Sequence, residues 1–237
     1  MKTFTCAVAA GFLALMALGG WQLQRLAWKR DLITRVDERV HGPPVIAPGA
    51  ARFDAREHEY RRVALAGRFL NDRETLVLAA TRLGAGFWVV TPFVADDGFI
   101  VLVNRGFVES SRREARDWAR IDGPTSLTGL VRVSEPGGGF LRANRPAEDR
   151  WYSRDVAAIS RARGLGDVAP YFVDADAADM PVPGAPTAGL TVVRFNNHHL
   201  QYALTWFGLA ALLAAGAIHV LRHHRSRRGV DEPVSQQ

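Results

Sequence analysis

The chain has 237 residues, of which 48% are apolar and 23% are charged. This composition excludes a disordered chain. The formal net charge of +6 is small, and the basic residues are spread among acidic ones, so the charge does not indicate a nucleic-acid partner. The single cysteine, Cys6, lies in an apolar run near the N-terminus. The rest of the chain can therefore form neither a disulfide nor a cysteine metal cluster.

Two uncharged runs of 22 residues, 3–24 and 200–221, lie near the two ends of the chain. A helix rises about 1.5 Å per residue, so each run would be roughly 33 Å long, enough for a hydrocarbon layer of about 30 Å. We predict transmembrane helices in residues 1–24 and 200–221, inserted in the lipid bilayer. Residues 25–199 then form the main domain, and residues 222–237 form a basic tail.

The first run has two interpretations. A signal peptide would be cleaved near Gly19, after the short basic region at Lys2. A retained helix is favoured, because 22 residues is long for the apolar part of a signal peptide. Small residues also recur in this run at helical spacing, and such a stripe lets two membrane helices approach closely. They are Ala7, Ala10, Ala14 and Ala17.

The basic residues beside the two runs predict the orientation. The numbers of positive charges on the two sides are nearly equal, but a long domain can cross a membrane regardless of its charge, so the short tail decides. The tail carries Arg222, Arg225, Arg227 and Arg228. We therefore expect both termini in the cytoplasm and residues 25–199 outside it.

The middle of the chain predicts one long helix followed by short strands. The helical pattern continues to about residue 40, where Gly42, Pro43 and Pro44 end it. Short runs rich in β-branched and aromatic residues then predict strands. They are residues 62–69, 75–80, 87–94, 99–103, 126–133, 171–173 and 190–195. Because little helix separates them, they favour an antiparallel sheet or barrel and the fold class α+β.

Glycine, proline and aspartate mark the connections. Residues 96–98, Asp-Asp-Gly, predict a hairpin, and residues 153–163 predict a short helix that ends at Gly164. Gly67 lies inside the first strand and predicts a bulge or a close approach of two backbones. We interpret residues 135–139 as a flexible loop and residues 174–189 as a linker or surface loop.

The patterns of common enzyme sites are mostly absent. The sequence has no G-x-S-x-G, no H-E-x-x-H and no Walker loop. Residues 164–169 fit a loose dinucleotide-binding pattern, but they follow a predicted helix and are read as its end. His219 and His223 have the spacing of two metal ligands, yet nothing completes a site, so a basic membrane flank is favoured. Asn104 and Arg105 are interpreted as turn and structural residues.

Residues 196–208 carry the most informative pattern. On a helix one stripe combines an imidazole with aromatic and small side chains, whereas His198 points elsewhere. The stripe comprises His199, Tyr202, Ala203, Trp206 and Ala210. An imidazole above such a wall could ligate haem iron. The alternative is an interfacial belt at the level of the lipid headgroups, which residue chemistry alone favours.

Arg25, one turn after Trp21, begins the charged segment that follows the first span. It could meet an anionic group near His199, such as a haem propionate. Snorkelling of its guanidinium to the headgroups is the simpler interpretation.

Several of these segments together resemble the Surfeit locus protein one family, the membrane assembly factors for cytochrome c oxidase. The matching segments follow the first span, form the first strands and the central hairpin, and include the short helix. They are residues 21–25 with Lys29 and 32–33, 60–63, 67–69, 91–93, 101–108, and 151–152 with Asp155. Residues 197–207 are the most specific match: His199 corresponds to the single histidine of the family pattern, and His198 stands where another residue is usual.

This resemblance implies an α+β domain held in the periplasm of a bacterium by two helices of the inner membrane. It implies a non-catalytic role in maturing subunit I of cytochrome c oxidase. It further implies binding of haem a and cooperation with the haem a biosynthesis enzymes. The cofactor-binding residues would be His199, Tyr202, Trp206 and Arg25, with His199 as the iron ligand.

Two other classes of function stay open at this level. One is an assembly scaffold that binds oxidase subunits without haem. The other is an extracytoplasmic enzyme, which the lack of a nucleophile-and-base pair disfavours.

Overall fold

A computed structural model describes residues 2–139, 141–179, 182–191 and 195–228 of the chain. The chain divides into two compact units: a helical unit of residues 1–35 and 194–237, and a β-rich unit of residues 36–193. The predicted division into spans of residues 1–24 and 200–221 and a main domain of residues 25–199 stays a prediction.

The helical unit is built from two long helices, α1 (Lys2–His41) and α4 (His199–Arg228). Each is long and apolar enough to cross a membrane, over Thr5–His41 and His199–His223. The structure thus has the two candidate membrane helices that the sequence predicts. The predicted extension of α1 to about residue 40 is also confirmed. The helix ends where Pro43 and Pro44 cannot continue it.

The two helices approach each other through glycines rather than through the alanine stripe. Ala7, Ala10, Ala14 and Ala17 are all exposed. Gly19, in contrast, is buried, and a Cβ at this position would collide with the ring of Phe207. A Cβ on Gly11 would lie 3.3 Å from the Leu213 side chain. Small residues do line the contact between the helices, as the sequence predicts, but they are Gly11 and Gly19 rather than the four alanines.

The β-rich unit contains short strands and two short helices among its described residues. The strands are β1 (Val45–Ile46), β2 (Arg62–Phe69), β3 (Thr75–Thr81), β4 (Gly84–Ala95), β5 (Ile100–Glu109), β6 (Thr125–Val133), β7 (Gly138–Gly139), β8 (Arg142–Ala143) and β9 (Val168–Ala175). The helices are α2 (Ala55–His58) and α3 (Val156–Ala162). The predicted hairpin lies between β4 and β5, where Gly98 has a φ of 87°. The predicted helix stop is confirmed as well, since Gly164 follows α3 with a φ of 61°.

In the described part of the chain, seven strands form one sheet in the order β1-β2-β6-β9-β5-β4-β3. A further pairing of β2 with β4 closes five of these strands into a ring. The predicted antiparallel sheet or barrel is therefore confirmed for most pairs. The exceptions are β1 with β2 and β5 with β9, which run parallel.

Side chains alternate between the two faces of each strand, so the ring has one apolar core on each face. One face of the ring buries a cluster that includes Val63, Phe93 and Tyr171. Successive side chains of a strand point to opposite faces, so the neighbouring residue Phe172 belongs to the other face. There it packs with Ile159 of α3 in a second cluster. The ring is thus filled inside and covered by α3 outside.

Some segments differ from their sequence-based interpretation. Residues 135–139 are not only loop, because β7 pairs with β8. The predicted linker begins inside β9, where Asp174 is buried, and Thr187 pairs with Phe107. Asn104 and Arg105 are buried within β5 rather than in a turn. Of the predicted strand 190–195, residues 190, 191 and 195 are not in a strand, and residues 192–194 lie outside the described residues.

Candidate functional site

His199, the first residue of α4, is positioned by the other helix of its unit. Its ring nitrogen Nδ1 lies 2.8 Å from Oε1 of Gln22 on α1. An amide oxygen can only accept a hydrogen bond, so Nδ1 carries the proton and donates it. In the neutral imidazole the other nitrogen, Nε2, then keeps its lone pair. The His199 ring is therefore held in one tautomer, with an available donor atom for a metal.

The side chains of the predicted stripe on α4 differ in burial: the small ones are buried, and the others are at least partly exposed. Ala203 and Ala210 are buried, at 0% and 1% exposure. Trp206 is half-buried, whereas Tyr202 is 56% exposed. His199 is also only partly buried. The small residues thus serve helix packing, and the aromatic residues form an accessible wall beside the imidazole.

His198 differs from His199 in its surroundings. It precedes α4, its side chain is exposed, and its backbone carbonyl accepts a hydrogen bond of 3.2 Å from Tyr202 N–H. Among the described residues, no side-chain partner orients the His198 ring. Of these two neighbouring histidines, His199 is the one with a ring-nitrogen hydrogen bond of the kind that orients metal-ligating histidines.

Arg25 lies one helical turn beyond Gln22 on α1 and is exposed. Its guanidinium carbon stands 4.8 Å from the centre of the Trp28 ring. A cation–π contact of this kind leaves the guanidinium N–H groups free to bind an anion. Arg25 is therefore close along α1 to the residue that holds His199, but no contact joins Arg25 to His199.

The β-rich unit contains a buried polar cluster that the sequence did not indicate. Asp174 is 4% exposed, and both of its carboxylate oxygens accept hydrogen bonds. Oδ1 accepts from Asn104 Nδ2 at 2.7 Å and from Arg154 Nη1 at 3.2 Å. Oδ2 accepts from Arg132 Nη1 at 3.2 Å and from Thr191 Oγ1 at 2.8 Å. Asp174 thus joins strands β5, β6 and β9 to the chain segment before α4.

Ion pairing favours the charged forms of Glu135 and Arg154, which belong to this cluster. Burial raises the pKa of Glu135, but the hydrogen bonds and charge of Arg154 outweigh it and hold the pKa below its ordinary value. Burial lowers the pKa of Arg154, but the charge of Asp174 and the contacts with Glu135 outweigh it, so this pKa is raised. Arg154 lies 2.6 Å from Glu135 and 3.2 Å from Asp174, so the first contact lowers the pKa of Glu135 and both contacts raise that of Arg154. The cluster acts as a structural ionic network.

Arg105 is buried in a second polar region of this unit. Its guanidinium is fully buried, donates to the Ala119 carbonyl at 2.8 Å and stands 5.2 Å from the Phe69 ring centre. Burial lowers its pKa, although the charge of Glu74 acts in the opposite direction. Glu74 in turn accepts from Trp118 Nε1 at 3.2 Å. These contacts support the structural interpretation of Arg105.

The described residues contain no group of three or more His, Cys, Asp or Glu side chains that could hold a metal ion. His219 and His223 on α4 are parallel, with ring centres 6.5 Å apart, and no third ligand of these types stands with them. An axial haem ligand needs no such group, because the macrocycle supplies the other nitrogens. The absence of such a group among the described residues therefore does not bear on a single axial histidine.

The fold and the site together define a class of protein with two apolar helices of spanning length and a β-barrel domain between them. The model of the SURF1 family matches residues 9–211. The chain therefore belongs to the SURF1 family, a family of cytochrome oxidase assembly factors. The family resemblance inferred from the motifs is confirmed.

Individual relatives agree with this assignment. Surfeit locus protein 1 of Homo sapiens is 37% identical over 213 residues, which are 82% of this chain and 69% of the human protein. A SURF1-like protein of Monosiga brevicollis is 33% identical over 230 residues, 91% of this chain and 87% of that protein. A SURF1-like protein of Drosophila melanogaster is 33% identical over 214 residues, with coverages of 82% and 69%. The match to the family model, over residues 9–211, includes parts of both apolar helices.

Proposed function

We propose that this protein binds haem a through His199 and assists its delivery to subunit I of cytochrome c oxidase. The observation that supports this most is the 2.8 Å hydrogen bond between His199 Nδ1 and Gln22 Oε1. Histidines that ligate metals usually donate their other ring N–H to an oxygen in this way, which fixes the ring orientation. Bound haem supplies an iron that accepts an imidazole nitrogen as axial ligand.

The neighbouring residues suit a flat apolar ligand with anionic groups. Tyr202 and Trp206 offer accessible aromatic surface on the His199 side of α4. Arg25 is exposed and is in no salt bridge within the described residues, so its N–H groups could pair with a propionate. These three residues would hold the macrocycle, and His199 would hold the iron.

The proposed setting is the inner membrane of a bacterium, with the β-rich domain in the periplasm. The partners would be subunit I, which receives the haem, and the haem a biosynthesis enzymes, which supply it. Two helices of spanning length support the membrane anchor.

The orientation can be tested with reporters that are active only outside the cytoplasm. A reporter fused after Gln237 should be silent, and one inserted in the loop at Gly137 should be active, because the Arg-rich tail favours the cytoplasm. Activity is measured in whole cells, with fusion levels matched by immunoblot. The reverse pattern would show that the domain is cytoplasmic.

The haem proposal is tested on the full chain purified in detergent from cells that make haem a. We expect His199→Ala to lose the bound haem a or to shift its Soret band, because the iron loses its axial nitrogen. His198→Ala is the matched control and should keep both haem content and spectrum. Loss in His198→Ala alone would transfer the ligand role to that residue. Full retention in both variants would refute histidine ligation here and favour a scaffold that binds oxidase subunits without haem.

Gln22 extends the same experiment to the residue that positions the ligand. Gln22→Leu removes the acceptor at similar size, and loss of such an outer partner typically weakens metal binding by about 10–100-fold. Gln22→Glu keeps an acceptor oxygen and should retain most of the haem. Equal haem content in all three proteins would show that the hydrogen bond does not position His199.

A further inference from the structure

The β-rich unit contains a cavity of about 210 Å³ beside β3, far along the chain from His199. Its walls combine apolar with cationic side chains. Leu78 and Phe87 provide apolar surface beside Trp151, which is 2% exposed, and Arg113, Arg142 and Arg150 provide guanidinium groups. The structural networks around Asp174 and Glu74 do not use these three arginines.

Two of the arginines are held against aromatic rings rather than against carboxylates. The Arg142 guanidinium carbon stands 5.6 Å from the Tyr152 ring centre, and that of Arg113 stands 5.2 Å from the Phe87 ring centre. Among the described residues, Arg142 is in no salt bridge. Arg113 reaches only Glu114, at 3.9 Å, and the Glu114 side chain is 93% exposed. An ion pair so exposed contributes little.

One carboxylate, that of Asp149, also lines the cavity, but other groups already engage it. Its Oδ1 accepts from Trp151 Nε1 at 2.8 Å and pairs with Arg163. Its Oδ2 lies 3.8 Å from Arg116. Neither Arg163 nor Arg116 lines the cavity. The charge of Asp149 is therefore balanced from outside. Arg150 pairs with Glu148 at 3.2 Å, so the excess positive charge of the wall comes from Arg113 and Arg142.

We propose that this cavity binds a small organic anion, with a carboxylate or phosphate group on a flat apolar body. Guanidinium groups donate paired hydrogen bonds to carboxylates and phosphates, and stacking on aromatic rings fixes their planes beforehand. The apolar side chains account for the ligand body. The volume lies below the roughly 300–1,000 Å³ of drug-sized sites, so the ligand is small. This site is independent of haem and of the proposed function of His199.

The test uses the full chain in nonionic detergent and three probes, compared by equilibrium dialysis against the same detergent without protein. The probes are 2-naphthoate, its neutral analogue 2-naphthamide and inorganic phosphate. We expect saturable binding of 2-naphthoate. The other two probes should bind at least about tenfold more weakly, because 2-naphthamide lacks the negative charge and phosphate lacks the apolar body. Equal binding of 2-naphthamide, or no saturable binding of 2-naphthoate, would overturn the proposal.

Variants locate the binding. Arg142→Gln and Arg113→Gln should each weaken 2-naphthoate binding at least about tenfold, since each loses charge-assisted hydrogen bonds. Arg68→Gln is the matched control, because Arg68 is an exposed arginine of β2 that does not line the cavity. It should bind as the parent protein does. Unchanged affinity in both cavity variants, or an equal loss in Arg68→Gln, would place the binding elsewhere and refute this site.

Discussion

Replacing Asp174 with alanine is expected to lower the free energy of unfolding of the β-rich unit by about 3 kcal/mol. The carboxylate is 4% exposed and accepts from two arginines, one asparagine and one threonine. Without it, Arg132 and Arg154 would be left as partly buried charges lacking their main common partner. Removing one member of a buried ion pair is costly for this reason, whereas replacing the whole pair by apolar residues can be neutral.

The Asp174 prediction can be measured by thermal unfolding of the full chain, followed by tryptophan fluorescence. A loss of about 3 kcal/mol corresponds to a fall in Tm of roughly 6–12 °C for a chain of this size. Asp167→Asn is the control, since Asp167 is an exposed carboxylate and its side chain has no hydrogen-bond partner within the described residues. Its Tm should change by little. Equal melting of Asp174→Ala and the parent protein would show that the cluster does not stabilise the domain.

The parts of the fold that the sequence predicted are those that depend on local pattern. Strand β2 (Arg62–Phe69) matches its prediction at both ends, because alternating apolar residues there face one filled side of the ring. The two long apolar helices follow from run length alone. The parallel pairing of β5 with β9 could not be predicted, since it joins segments far apart in the chain.

The Asp174 cluster was missed because its surroundings look like a linker. Alanine, aspartate and proline dominate residues 174–189, and that composition is typical of a loop. The burial of Asp174 arises from partners more than 15 residues away, such as Asn104 and Arg154. No local pattern carries that information. The sequence did contain one signal of a buried carboxylate, namely a basic residue inside a predicted strand. Arg132 in β6 is such a residue, and it donates to Asp174.

At the candidate site the sequence identified the helix face but not its partner. The stripe containing His199 and Ala203 was predicted from periodicity, and the burial of Ala203 agrees with a packed face. Gln22 was not singled out, although an amide in an apolar run is a known means of joining membrane helices. The sequence could not show which histidine Gln22 would meet, because that depends on how far the helices slide along each other.

The largest effect of a single added methyl group is expected at Gly67. There β2 pairs with β4, through Gly67 with Ala95 and Phe69 with Phe93, and this pairing closes the ring of strands. The sequence predicted a bulge or a close backbone approach at Gly67, and the close approach is confirmed. A Cβ would collide with the Val94 carbonyl oxygen and lie 2.9 Å from the Phe93 ring.

Gly67→Ala should therefore destabilise the β-rich unit by about 3 kcal/mol, because overpacking adds to backbone strain at a φ of 155°. Gly67→Arg should cost at least as much. Gly166→Ala is the control, since a Cβ there meets nothing within 4 Å and the backbone has no positive φ. Thermal unfolding and limited proteolysis of the full chain should distinguish the Gly67 variants from Gly166→Ala. Only the Gly67 variants should be cleaved faster, because they open the pairing that closes the ring. Equal Tm and cleavage rates for Gly67→Ala and Gly166→Ala would show that β2 and β4 can separate at this point without loss of the fold.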